Sequence, residues 1–230
     1  SITSSTASSG GNITSDGGAE IIERGVCYDT QQNPNTANNK ITADGTTGQF
    51  SCSLVELIPG TTYYVRAFAT NSIGTAYGNE VSFTTASTTP SLTTKEASLT
   101  TITTSTCGGN ITSEGGSTIA ERGVCFGTNQ NPTIENSKII TTGTLGLFTC
   151  LLDGLTPATT YYVRAFATNG VGTSYGNEIS FTTYNTNAFK DIENNYYNIV
   201  TIGSQTWTQE NLKVTKYNNG DPLTIVTDNS

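Results

Sequence analysis

Apolar and polar residues alternate with a period of two along most of the chain, and the clearest run occurs twice, unchanged, at Thr61–Asn71 and Thr159–Asn169 (TTYYVRAFATN). In such a segment Tyr63, Val65, Ala67 and Ala69 share one face and Tyr64, Arg66, Phe68 and Thr70 the other, as in a strand with one face in a core. With Asn12 and Asn110 in register, the two halves align without a gap through Thr85 and Thr183 at an offset of 98 residues, and about two thirds of the positions are identical. A period this long marks duplication of a whole domain, since solenoid repeats run roughly 20 to 50 residues. The first copy predicts strands near residues 10–15, 21–29, 40–43, 49–54, 61–71 and 79–85, and the second repeats them. Asp16-Gly17-Gly18 and Glu114-Gly115-Gly116 supply the positive φ angles of a tight turn. Asn33-Pro34 and Asn131-Pro132 break the chain after the second strand, where proline cannot donate to a ladder. Short strands with turn signals at this spacing predict an all-β sandwich in each copy.

The doubled run is entered through Leu57-Ile58-Pro59-Gly60 and Leu155-Thr156-Pro157-Ala158. Together, L-x-P-x-T-x-Y-x-V-x-A followed by A-x-N-x-x-G resembles strand F of a fibronectin type III domain. The resemblance implies two tandem fibronectin type III or immunoglobulin-like β-sandwiches, in which the hydroxyls of Tyr63 and Tyr161 bond back to the preceding loop. Strand A of the second copy is expected within Pro90–Ala97, whereas the first copy has only Ile2 to Ala7 to serve, so its strand A reads as incomplete. Either further residues complete that edge or another chain adds a strand to it.

After Thr183 the pattern changes to D-x-x-x-N-x-Y-x-x-V-x-I-G-x-Q-x-W-x-x-E-N-L-K-x-x-x-Y-x-x-G, spanning Asp191 to Gly220. This order resembles the opening of the Fibrobacter major paralogous domain, found at the C-terminal ends of secreted proteins of Bacteroidetes and related bacteria. The expected division is therefore 1–86 and 87–184 for the sandwiches and 185–230 for a partial, β-rich C-terminal module. A module of that size is too short to hold an independent core without staples.

Composition narrows the function. Charged residues make up 12%, the net charge is −8 and the pI is near 4.4. The acidic balance and the lack of a Lys/Arg run argue against nucleic acid and against anionic membrane surfaces. No apolar run approaches the roughly 20 residues that span a bilayer, so direct membrane insertion is not expected. The absence of His removes imidazole acid–base chemistry and His-ligated zinc. The carboxylates of Glu23, Glu121, Glu80, Glu178, Asp191 and Glu193 sit where solvated side chains are ordinary. No catalytic, cofactor or metal residue is expected, and the chain does not read as an enzyme.

Five cysteines in a Thr/Asn-rich acidic chain fit an oxidising, extracellular setting. In the fibronectin-like frame, Cys27 and Cys125 fall in strand C and Cys52 and Cys150 in strand E, on opposite sheets. That frame leaves two readings open: disulfides Cys27–Cys52 and Cys125–Cys150, or small buried residues that never pair. Cys107, whose counterpart is Ser9, reads as a buried free thiol. The stripe Tyr64, Arg66 and Phe68, with Tyr162, Arg164 and Phe166, is expected to point out of the core. It serves either as a surface for sugars or protein partners or as a packed cross-strand cluster. Trp207 reads as a core anchor of the C-terminal module ahead of a ligand platform. The leading function is an extracellular, secreted or cell-surface spacer or adhesive protein whose partners are other protein modules or copies of itself. A carbohydrate-binding module and a filament subunit joined by strand addition are the alternatives.

Overall fold

The computed structural model describes residues 1–213 and 215; the end of the C-terminal motif lies outside the described residues. By its contacts the chain divides into two compact units. The first is Ser1–Ser91 with Ser113–Ala120 and Thr168–Thr173, and the second is Leu92–Thr112, Glu121–Ala167 and Ser174–Ser230.

The first sandwich is built from β1 (Ala7–Ile13), β2 (Ile21–Asp29), β3 (Asn39–Thr42), β4 (Gly48–Leu54), β5 (Thr62–Asn71), β6 (Thr75–Tyr77) and β7 (Val81–Thr84). One sheet runs β3-β2-β5-β6 with β7 also on β5, and the other holds only β1 and β4. The second sandwich repeats this with β8 (Ser91–Ser98), β9 (Ser105–Ser113), β10 (Glu121–Gly127), β11 (Ser137–Thr141), β12 (Gly146–Leu152), β13 (Thr160–Thr168), β14 (Thr173–Tyr175) and β15 (Ile179–Thr182). Here β8 joins β9 and β12 in a three-stranded sheet facing β11-β10-β13-β14, with β15 on β13. In strand letters this is A-B-E against C′-C-F-G, the order of a fibronectin type III-like sandwich, and strand A is missing from the first sandwich among the described residues. The pairs β1–β4, β2–β3, β2–β5, β5–β6, β5–β7, β9–β12, β10–β11 and β13–β15 are antiparallel.

Strand C covers residues 21–29 as its alternation predicts, with a register shift between Ile21 and Glu23. Strand G departs from expectation. It is two short pieces, β6 and β7, because Gly78 and its neighbours turn out of the ladder while Gly78 N–H still donates to the Ala67 carbonyl at 2.8 Å. Strand B of the second copy begins earlier than the turn pattern implied, at Ser105.

The first core joins Ala7, Val26, Cys52, Leu54, Leu57, Tyr63 and Val65. Tyr63 is its centre: its ring stacks on Phe83 at 5.8 Å and meets the edge of Tyr28 at 6.1 Å. Its hydroxyl accepts the Ile58 N–H at 3.0 Å, closing the turn between β4 and β5 as the resemblance implied. Thr85 completes the closure. Its hydroxyl donates to the Ile58 carbonyl at 2.6 Å and accepts the Thr61 N–H at 2.9 Å. Tyr161 and Thr183 repeat these bonds with Thr156 and Thr159 in the second sandwich.

Beyond the sandwiches come β16 (Phe189–Lys190), β17 (Tyr196–Tyr197), β18 (Ile199–Ile202) and β19 (Gln205–Thr208), forming two hairpins. Tyr197, not Trp207, is the buried side chain: Tyr197 is 0% exposed and Trp207 56%. The expectation that Trp207 anchors a core is therefore corrected. Trp207 lies opposite Val200 on a two-stranded ribbon, and among the described residues no second layer covers its face.

Replacing Tyr63 or Tyr161 by Phe keeps the stacked ring and removes only the hydroxyl acceptor. Each change is expected to lower stability by about 1–2 kcal/mol, with an unchanged urea m-value, read from equilibrium denaturation curves of single and double variants.

Candidate functional site

The outer face of the β3-β2-β5-β6 sheet carries the stripe singled out from sequence. Register places Cys27 opposite Arg66 and Gly25 opposite Phe68 on β2, and Tyr77 opposite Phe68 on β6. A Cβ on Gly25 would run into the Ile41 carbonyl of β3, so bare backbone is needed there, and the Lys40 ammonium lies 6.0 Å from the Phe68 ring centroid. Phe68 is consequently 2% exposed and Phe166 0%. These two rings do not point into solvent, as alternation alone required; long neighbours folded over the sheet bury its second face as well.

Arg66 is held on both sides. Its Nε donates to the Gly78 carbonyl at 3.1 Å, and its guanidinium sits 4.7 Å from the Tyr77 ring centroid. The Tyr77 hydroxyl in turn accepts the Thr36 N–H at 3.1 Å, tying the loop after β2 to the sheet. Lys40 pairs with Glu23 at 2.7 Å, and a Glu80 carboxylate oxygen accepts the Asn33 N–H. The second copy reproduces every part. Arg164 lies 4.6 Å from the Tyr175 ring, Lys138 lies 5.8 Å from the Phe166 ring and pairs with Glu121, and Glu178 accepts the Asn131 N–H. Tyr64 and Tyr162 remain half-buried beside this cluster. The stripe is a network of ring, cation and carboxylate that covers Phe68 and Phe166, while the Lys40–Glu23 and Lys138–Glu121 pairs over it stay about one third exposed.

The cysteines also take places that the disulfide reading did not anticipate. Cys27 and Cys52 are free thiols on opposite sides of β2. Val26 and Cys52 share the core, while Cys27 faces outward beneath the loop and donates from Sγ to the Pro34 carbonyl at 3.4 Å. Cys125 repeats this with Pro132 at 3.3 Å and is likewise separated from Cys150. Because successive strand residues alternate faces, a bridge from Cys27 to Cys52 would have to pass through the sheet. Both pairings are therefore corrected. Cys107 is buried, free and directly opposite Cys150 in the β9–β12 register. Burial, helped by the neighbouring Cys150, pushes the Cys107 thiol up to about 12. Burial raises Cys125 to about 11 against a partial opposing effect of Arg164.

Two arginines that sequence reasoning passed over are the most completely used polar groups. Arg24 is 7% exposed. Its Nε donates to the Asp44 carbonyl at 3.0 Å, and Nη1 reaches the Thr46 and Thr47 carbonyls at 3.0 and 3.1 Å. Arg122 does the same with Thr142 and Thr144 at 3.0 and 2.8 Å. Each fork stitches the turn between strands C′ and E to strand C. The two arginines recur at equivalent positions, in Glu23-Arg24-Gly25-Val26 and Glu121-Arg122-Gly123-Val124, but their neighbours do not mark them as buried.

In the C-terminal segment Asp191 organises a small turn. Its carboxylate accepts the Glu193 and Asn195 N–H groups at 2.8 and 2.9 Å and the Tyr197 hydroxyl at 2.7 Å. Desolvation opposes ionisation there, but these bonds outweigh it and hold the carboxyl below the usual range. Among the described residues no three Cys, Asp or Glu side chains gather as a metal site, and no helix is long and apolar enough to cross a membrane.

No family model and no curated protein matches the chain. Among solved structures the chain is similar to the chicken CNTN1 FN1–FN3 domains at 14% identity and a TM-score of 0.49, covering 94% of this chain and 74% of that one. The sandwich assignment rests on the strand order and register of the chain itself.

The raised thiols set an alkaline limit. The folded state keeps protons that an unfolded chain, with thiols near 9.0, releases, so stability is unaffected below pH 9 and falls as pH rises from about 9 towards 12. Urea midpoints measured from pH 7 to 11 are expected to be flat and then decline, with a shallower decline in Cys107→Ala. At pH 8 a thiol reagent is expected to label none of the five cysteines until the protein unfolds.

Proposed function

We propose that the chain is a non-enzymatic structural or adhesive spacer of an extracellular protein, secreted or held at a cell surface. In this reading two sandwich modules (1–86 and 87–184) carry or link neighbouring modules, of which 185–230 is one. One observation supports it above the others. The residues identical between the two copies are spent on internal contacts: the tyrosine corner, the Arg24 and Arg122 forks, the buried Cys27 and Cys125, and the Lys–Glu pairs. Repetition that preserves interior bonds and leaves the outer turns free to differ is what a load-bearing repeat requires. A duplicated binding site would keep polar groups unengaged at the surface. The neutral, hydroxyl-rich acidic surface supports an extracellular setting; the five free thiols add nothing to that argument.

Two features favour the spacer over a carbohydrate module. Phe68 and Phe166 are buried, and Arg66 and Arg164 already hold a carbonyl and a ring each. Sugar recognition needs an open aromatic face with polar groups free around it. Trp207 is open, and the residue opposite it on the ribbon is the apolar Val200, which offers no hydrogen bond to a sugar.

Stretching single molecules from end to end tests the reading. Two separate unfolding events are expected, each lengthening the chain by about 3.5 Å per released residue, with resistance lowered in Tyr63→Phe and Tyr161→Phe. Extension without force peaks, or amide shifts around Tyr64 or Trp207 on adding oligosaccharides, would sink it.

A further inference from the structure

Of the five cysteines, Cys107 and Cys150 are the pair that a strand register brings face to face. They stand directly opposite each other on β9 and β12, and both point into the second core, 1% and 5% exposed. The other three have different neighbours. Cys27 and Cys125 lie on the outer face of strand C and donate to the Pro34 and Pro132 carbonyls, and Cys52 stands opposite Ser9.

The two backbones are close at this point. A Cβ on Gly108, the residue after Cys107, would run into the Phe148 carbonyl and lie 2.9 Å from the Thr149 Cα on β12. Directly opposite residues of an antiparallel pair have Cα atoms about 4.5–5.5 Å apart, within the roughly 4.4–6.8 Å that a disulfide spans. Their Cβ atoms start about 4.5–5.5 Å apart and must close to about 3.8 Å. Gly108 and Gly109 follow Cys107 with the most permissive backbone for that shift. Cys150 is also near enough to help suppress ionisation of Cys107. The first sandwich has the same close approach, with a Cβ on Gly10 3.0 Å from the Ser51 Cα, but a hydroxyl where the second has a thiol.

We propose that Cys107 and Cys150 are an oxidative cross-linking site, closed to a disulfide that staples strand B to strand E when the chain folds with a small-molecule disulfide as oxidant. The thiolate of one cysteine attacks the S–S bond of the oxidant, giving a mixed disulfide and one released thiolate. The thiolate of the other attacks the protein sulfur of that mixed disulfide, forming the Cys107–Cys150 bond and releasing the second small thiolate. The two S–H protons end on the released thiols; the protein sulfurs are oxidised and those of the reagent reduced. Burial sets the timing. In the folded chain both thiols are covered, so the exchange belongs to the folding chain, before β9 and β12 close over the core. The staple encloses β10 and β11 in one covalent loop, and the first sandwich, with Ser9, has none. The site does not rest on the spacer reading, since it needs only the oxidant.

The test unfolds the 230-residue protein in urea and refolds it by dilution at pH 8 with mixed reduced and oxidised glutathione, beside a sample kept reduced. Iodoacetamide added after a second unfolding is expected to modify all five cysteines of the reduced sample. In the oxidised sample it is expected to modify only Cys27, Cys52 and Cys125, with the mass lowered by two hydrogen atoms and a peptide map joining Cys107 to Cys150. The oxidised protein should show the higher urea midpoint. That difference is expected to vanish in Cys107→Ser, which repeats the first copy, and in Cys150→Ser. Five modified cysteines after oxidative refolding, glutathione left on Cys107 or Cys150, a different pairing in the map, or equal midpoints for the oxidised and reduced protein overturns the proposal.

Discussion

The hydrogen-bonded corner between strands E and F is the constraint on which each sandwich depends. Strand E belongs to one sheet and strand F to the other, so the Leu57–Thr61 passage must cross the core's end with its backbone polar groups out of reach of a ladder. Buried backbone groups left unpaired cost about 1–3 kcal/mol each. Tyr63 and Thr85 take up that obligation at Ile58 and Thr61. They hold the sheets at one separation, and the ring stack of Tyr63 on Phe83 then fills the space that the corner defines. The same side chain is therefore the fastener of the turn and the middle of the core, which explains why the surrounding eleven residues are identical in both copies.

Charge is handled the same way, by enclosure. Arg24 is buried with no carboxylate partner and is satisfied by carbonyls of a single turn, with Phe50 5.1 Å from its guanidinium carbon. A guanidinium has five donors in a rigid fork, and a tight turn offers several carbonyls in one small region, so the match needs no second charge. The turn gains a fixed shape and the cation stays bound to one place. On the outer sheet face Lys40 and Glu23 neutralise each other over Phe68. With so few charges in the chain, most of those on the sandwiches are used to pin a loop or cover a ring, and solubility is left to threonine, serine and asparagine.

Much of this was legible in the sequence, and the failures share one cause. Strand C, the duplicated strand F, the Gly17-Gly18 turn and the tyrosine corner follow from local alternation and turn chemistry, which are written in adjacent residues. Alternation assigns only two faces, however, and treats one as solvent. Loops folded over the second face are set by residues distant in sequence, so Phe68 and Phe166 were placed outside when they are buried. Cys27 was aligned with Cys52 through the expected sheet pairing, yet its own parity puts it on the far side of strand C, under Pro34. Cys107 and Cys150 face each other only because strands B and E share a register, which spacing along the chain does not reveal. Arg24 and Arg122 were missed because a buried cation without an acidic partner leaves no pairwise signature. Trp207, the only tryptophan, was read as a core anchor, whereas among the described residues no second layer covers its hairpin.

The duplication also separates what a residue is from what its neighbours make of it. Ala67 and Ala165 have the same flanking sequence, the same strand and the same carbonyl bond from a following glycine, at 2.8 and 2.9 Å. One is half-exposed and the other fully buried. The difference lies wholly in whether strand A is present, since Thr94 supplies both the cover and the hydroxyl that Ala165 uses. Gly78 and Gly176 make the same point. The absence of a side chain at Gly176 is required by the Thr94 backbone lying over it, and at Gly78 nothing among the described residues imposes that requirement. A glycine in a strand-like segment carries a conformational-entropy cost, and at Gly176 the close approach of the Thr94 backbone requires it.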